Sequence, residues 1–174
     1  RLFPNLSISY DLNNKAKLTI AYSKRQDKAR YEDLNPIEYL LDELTYWKGN
    51  PFIQPQINHR VSFDYTKNNL SVTLSYNQLN NYFTQLLDAY KKDCIVMTIK
   101  NIGKQKQLAL DLIYNKRLTS WWDVSANIGV YYFINHLDYE SYREDYRRPS
   151  CNLSLSNDIQ LPAKVRMELS ARYA

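Results

Sequence analysis

Apolar and polar residues alternate with a period of two along most of the chain. Leu6, Ile8, Tyr10 and Leu12 are interleaved with Asn5, Ser7, Ser9 and Asp11, and after Asn13, Asn14 and Lys15 the pattern resumes in Leu18, Ile20 and Tyr22 against Lys17, Thr19 and Ser23. Successive side chains of a strand point to opposite faces, so each run predicts a strand with one apolar and one polar face, and the Asn-rich break predicts a tight turn. The unit recurs three times: Val61, Phe63, Tyr65 with Leu70, Val72, Leu74, Tyr76; Leu108 to Tyr114 with Trp122 to Ile134; and Cys151 to Leu161 with Val165 to Tyr173. Strands are predicted at 3–12, 16–25, 57–66, 70–87, 94–116, 122–135, 149–161 and 163–174, which is eight strands in four hairpins.

The connections differ in kind. Those inside hairpins are short, whereas 26–56, 88–93 and 136–148 are polar or Tyr-rich and fall at the opposite end of the strands. Strand length adds to this: the alternation runs from Trp122 to Ile134, from Leu70 to about Leu87 with one slip near Gln78 to Asn81, and from Cys94 to Tyr114 with a bend where Gly103 sits. Soluble strands average about five or six residues. Short turns at one end, long loops at the other and long strands predict an all-β fold of antiparallel up-and-down transmembrane β-barrel strands. A soluble or surface carbohydrate-binding module of two-layer sandwich type and a small closed eight-strand barrel with a structural or adhesive role are the alternatives.

Aromatic residues bracket the aliphatic face. Tyr10, Tyr65, Tyr114 and Trp122 lie toward the tight turns, and Tyr22, Tyr76, Tyr132 and Tyr173 toward the other end. Trp122 and Tyr132 are ten residues apart, about 25 Å along the membrane normal for a strand tilted near 40°. These eight are the candidate membrane-interface aromatics. The other face carries Asp11, Lys17, Arg60, Asp64, Asp111, Asp123, Lys164, Arg166 and Glu168, which a barrel would turn to a wet lumen and a soluble fold to solvent.

Composition refines this picture in a few places. Sixteen Tyr and three Trp against five Phe favour amphipathic aromatics suited to interfaces. Mean hydropathy is −0.58, and no apolar run reaches the 18 residues of a transmembrane helix, a test that barrel strands escape. A net charge of +5 permits anionic partners, but the densest basic group, Arg143, Arg147 and Arg148, is interleaved with Glu140, Glu144 and Asp145. That reads as a solvated loop, not a phosphate-tracking stripe, so nucleic acid is not an expected partner. Cys94 and Cys151 have no Cys or His within four residues and show no metal spacing. The chain starts at Arg1 with no charged and apolar leader pattern, so no signal peptide is read in it.

With the strands placed, the stretch from Tyr31 to Gln56, above all YEDLNP and GNPFIQPQ, resembles the external-loop-to-strand segment of TonB-dependent outer-membrane receptors. NIGKQKQLALDLIY and the Trp121–Trp122 turn resemble the outer-membrane β-barrel family of Bacteroidetes receptors. Gln56 stands where that pattern has an acidic residue. The resemblance implies a piece, about eight strands, of a barrel with about twenty-two, together with a plug and a TonB-contacting box outside this chain. It implies energised uptake of an external ligand, in contact with outer-membrane lipid and the TonB complex, in the outer membrane of a Gram-negative, Bacteroidetes-like cell. In the segment itself, Gly49 and Asn50 would turn the chain and Pro51 and Pro55 would hold it extended before the strand.

No catalytic constellation is present, so the chain is not read as an enzyme, and no cofactor or metal is expected. His59 and His136 lie in different hairpins and read as an interface and a loop histidine. Glu32, Asp33, Glu38, Asp42 and Glu43 lie on the longest loop, where 37–46 has the spacing of a short amphipathic helix; solvated charge is the simplest reading of them and a cation or ligand contact the alternative. Tyr31, Tyr39, Tyr46, Trp47 and Phe52 are the candidate ligand-binding residues, because aromatic surfaces on external loops can stack on sugars, haem or peptide side chains.

Overall fold

The computed structural model describes residues 2–13, 15–91, 93–139, 142–162 and 165–174. Among them lie ten strands and one short helix: β1 (Asn5–Asn13), β2 (Ala16–Asp27), α1 (Tyr31–Leu34), β3 (Glu38–Asp42), β4 (Thr45–Lys48), β5 (Gln56–Lys67), β6 (Leu70–Ala89), β7 (Ile95–Thr119), β8 (Trp122–Tyr139), β9 (Tyr142–Gln160) and β10 (Arg166–Tyr173). Eight of them form one antiparallel sheet in the order β1-β2-β5-β6-β7-β8-β9-β10. The sheet is open, with β1 and β10 at its edges. Lys164 and the turn residues Asn14 and Ala163 lie outside the described residues, as does Glu140.

The register gathers the apolar positions onto one surface. Ile8 faces Ile20, Ile20 faces Phe63, Phe63 faces Leu74, Leu74 faces Leu110, Leu110 faces Val130 and Val130 faces Cys151. A one-residue slip anywhere would send a whole strand's apolar set to the other side. Among the described residues no second layer covers this surface: Ile8 is 63%, Val130 48% and Leu169 54% exposed. Total accessible surface is 12770 Å², against about 8,900 Å² for a compact folded monomer of this mass. A sandwich would have buried that face, so the two-layer alternative does not describe this fold.

The polar face is cross-linked side chain to side chain. Asp64 accepts hydrogen bonds from Thr73 at 2.7 Å and Ser62 at 3.1 Å, and Asp111 accepts one from the Tyr131 hydroxyl at 2.7 Å. The Tyr131 hydroxyl and the Asn152 side chain occupy the space beside Gly129 that a Cβ would need, so that glycine makes room for its own strand's aromatic ring.

Strand ends are staggered. The β5–β6 turn closes at Lys67 and Leu70, whereas β7 continues past Tyr114, the partner of Leu70, to Thr119. Such stagger is what tilts strands in a barrel wall. It also makes the spacing of the aromatic sets uneven. Trp122 and Tyr132 are ten residues apart on β8, but Tyr65 faces Leu18 and so lies only four residues from the level of Tyr22. Tyr22 shares one pairing row with Tyr132, through Val61, Tyr76 and Leu108, and its hydroxyl is hydrogen-bonded to His59 Nδ1 at 2.9 Å. At the opposite end the Trp122 indole N–H donates to Asn157 at 3.2 Å, which satisfies a polar side chain on the apolar face.

Two sequence expectations are corrected. Residues 136–148 are not a loop: β8 and β9 extend to Tyr139 and Tyr142 as a paired ribbon in which His136 meets Asp145, so Arg143, Arg147 and Arg148 are strand residues. Residues 37–46 are not a helix: they form most of the β3–β4 hairpin, because the Asp42 carboxylate accepts the Leu44 N–H at 3.0 Å and turns the chain back. The helix is the single turn Tyr31–Leu34 just before them.

Candidate functional site

The long loop between β2 and β5 is a folded unit fastened to the far side of the sheet. Strand β6 occupies one edge of the upper part of β7, and β8 reaches only as high as Gly103 on the other. The free stretch is taken by β4, which pairs parallel with it: Thr45 with Ile95, Tyr46 with Val96 and Trp47 with Met97. The loop thereby gains the backbone partners that an exposed segment would lack.

Asn50 is the fulcrum of the return path. Its backbone N–H donates to the Asp33 carbonyl at 2.7 Å, its side-chain amide to the Ile99 carbonyl at 3.1 Å, and its Oδ1 accepts the Phe52 N–H at 3.0 Å. Gly49 lies so close to Asn35 and Asp33 that a Cβ would meet the Asp33 carbonyl at 2.8 Å. Asp33 is itself buried, bonded to the Arg30 backbone N–H at 3.0 Å and ion-paired with the Arg30 guanidinium at 3.2 Å. Farther on, Asn101 brackets Gln54, accepting its N–H at 2.8 Å and donating to its carbonyl at 3.0 Å, while reaching the Asn81 carbonyl at 2.8 Å. Asn81 (φ 55°) and Gly103 (φ 130°) mark the bulges that shift the β6–β7 register at this height.

Replacing Asn50 with Ala removes both side-chain bonds and leaves the Ile99 carbonyl unpaired. We expect a local loss of about 1–3 kcal/mol, read as faster proteolysis within 28–55 of the folded full-length protein with the barrel strands still protected. Unchanged cleavage would show that the loop is held elsewhere.

A second group of contacts ties the hairpin to the β6–β7 turn. Glu38 takes an ion pair from Lys48 at 2.7 Å and a hydrogen bond from the Tyr90 hydroxyl. The rings of Tyr46 and Tyr90 lie 5.4 Å apart, tilted by 59°, and the Lys91 ammonium sits 4.8 Å from the centre of each. The hydrogen bonds from Lys48 and then Tyr90 hold the Glu38 carboxyl below its ordinary range, and the bond to Glu38 raises the Tyr90 phenol. A carboxyl depressed in the folded state stabilises above its ordinary range, and that contribution is lost as pH falls through the depressed value. Acidification through the lower carboxylate range is therefore expected to speed amide exchange in residues 38–48, after correction for the intrinsic rate, and to leave β5 to β7 unchanged. Equal protection at neutral and acid pH would contradict this.

The loop aromatics named from sequence divide into two groups. Tyr31 and Phe52 stand free at 93% and 87% exposure. Tyr39 faces Trp47 across the hairpin, and Tyr46 and Trp47 are half-buried against β7. Tyr90 and Lys91, which complete the Tyr46 cluster, belong to a different loop. Their only sequence signal is an aromatic–basic pair at a turn between two long strands.

The sequence profile described as outer membrane protein beta-barrel family matches residues 1–174. No curated protein matches significantly. Among solved structures, the siderophore receptor PirA from Pseudomonas aeruginosa is similar, with TM-score 0.58, 11% identity, and coverage of 99% of this chain and 42% of that one. The ferric enterobactin receptor PfeA from Pseudomonas aeruginosa aligns at TM-score 0.51 and 13% identity over 97% of this chain and 34% of that one. The chain thus spans less than half the length of those receptors, and at such identities the likeness is one of fold.

Proposed function

Because the chain belongs to the outer membrane protein beta-barrel family, we propose that it is a stretch of barrel wall from a TonB-dependent receptor that takes up an external ligand. The observation that supports this most is the one-sidedness of the sheet. An uncovered apolar surface runs across its main strands, a polar hydrogen-bonded surface lies behind it, and elaborate loop structure is concentrated at one end. The apolar face meets outer-membrane lipid, with Tyr10, Tyr22, Tyr65, Tyr76, Tyr114, Trp122, Tyr132 and Tyr173 disposed toward the interfaces. Loop aromatics Tyr31, Tyr39, Tyr46, Trp47 and Phe52 contact the ligand. A plug outside this chain links the barrel to the TonB complex in a Gram-negative, Bacteroidetes-like cell, and the chain itself makes or breaks no covalent bond.

The test uses the intact gene. Deleting it should abolish growth on a limiting nutrient that the parent strain uses, and deleting the inner-membrane energy-coupling protein should do the same while leaving the receptor assembled. Uptake that persists without energy coupling would refute the reading.

A further inference from the structure

We propose that Tyr46 and Tyr90 form a clamp for an organic ammonium group of the external ligand, and that Lys91 is its resident occupant in the unliganded protein. The inference deepens the receptor reading, on which it rests for the side from which ligand arrives. The rings come from two loops, are held by contacts of their own, and share the cation on one open side of the pair. Tyr46 is carried by β4, whose backbone pairs with β7 at Val96. Tyr90 is set by a turn in which its N–H donates to the Cys94 carbonyl at 3.0 Å and the Cys94 N–H donates back to Lys91 at 2.9 Å, and its hydroxyl is held by Glu38.

The occupant, by contrast, is loosely held. Lys91 is exposed, and its ammonium sits on a flexible four-carbon stem, so leaving the rings returns it to water at little cost. A phenol donating to a carboxylate is the more electron-rich ring, which favours a cation over its face. Glu38 is ion-paired with Lys48 and also attracts the Lys91 ammonium, so an incoming cation finds aromatic faces with an already engaged carboxylate beside them. That selects a weakly hydrated alkylated ammonium over a small inorganic cation, since attraction to ring faces does not offset the loss of a tight hydration shell. The geometry already on display, one ammonium 4.8 Å from both ring centres, is the geometry the ligand would reproduce.

The test measures binding of choline, and of its uncharged isostere 3,3-dimethyl-1-butanol, to the full-length protein in detergent micelles by probe NMR. Lys91→Ala vacates the clamp and should tighten choline binding by about fivefold without affecting the alcohol. Adding Tyr90→Leu should erase the gain, with heat-modifiable gel mobility confirming that each variant is folded. Choline affinity unchanged or weakened by Lys91→Ala, or an equal gain for the alcohol, overturns the proposal. Binding in micelles needs no energy coupling, so a protein that gives the expected pattern but fails the uptake test loses the receptor reading and keeps the clamp.

Discussion

Arginine at position 128 should lower the stability of the folded protein in lipid by about 2–4 kcal/mol, whereas arginine at position 132 should cost about 0–1 kcal/mol. Both side chains are on β8 and on the same face, and in the isolated sheet they are nearly equally exposed, Ile128 at 40% and Tyr132 at 38%. Exposure alone therefore predicts the same effect for both, near zero, because surface substitutions facing water fall within about ±0.5 kcal/mol. The difference arises only if hydrocarbon lies against Ile128 and headgroups against Tyr132. Equilibrium denaturant unfolding of the full-length protein in lipid vesicles, with the heat-modifiable fraction on a cold gel as a second readout, measures it. Equal costs at the two positions would mean that the apolar face does not meet a bilayer, small costs pointing to water and large ones to a covering protein surface.

Gly103→Val should have the largest backbone effect in the chain. Its φ of 130° is closed to side chains, and a Cβ there would run into the His136 carbonyl oxygen, with the Asp138 nitrogen only 3.2 Å away. Strain of this kind costs about 1–3 kcal/mol, and relief requires β7 and β8 to separate above Lys104. The Gln105–Asn135 hydrogen bond of 2.7 Å stands next to the separation. Amide exchange in residues 135–139 should rise sharply while Tyr114 and Ala126, paired far below, stay protected. A Gly103→Val protein with wild-type exchange in that ribbon would show that the bulge relaxes without unpairing.

What the sequence made legible follows from contrast between the faces. Where one face is aliphatic and the other carries Ser, Asp and Asn, as in Leu70 to Asn77, the period of two fixes strand, face and partner together. Above that band the contrast vanishes. Arg143, Asp145 and Arg147 alternate with Glu144, Tyr146 and Arg148, polar on both sides, and the strand leaves no mark in the pattern although every residue is paired. The β3–β4 hairpin misleads for a different reason. Ile37, Leu40, Leu41 and Leu44 have helical spacing, but the sheet offers β4 an unfilled edge of β7, and backbone pairing there outweighs a local preference. The candidate site shares this difficulty. Tyr46 could be named as a loop aromatic, but its grouping with Tyr90 and Lys91 is set by that same edge and by no local signal.

The parallel pairing of β4 with β7 also imposes an order on assembly. Residues 45–47 meet residues 95–97, and the site they join exists only once β5, β6 and β7 have zipped together and the shorter β8 has left the upper edge vacant. Contacts so distant in sequence form late, because the chain between them must first be ordered. The wall is therefore built hairpin by hairpin from neighbouring pairs, and the loop between β2 and β5 is fastened last. A barrel stalled before that step would have complete walls and an unfinished mouth, and surface proteases would cut it between β2 and β5 before anywhere else.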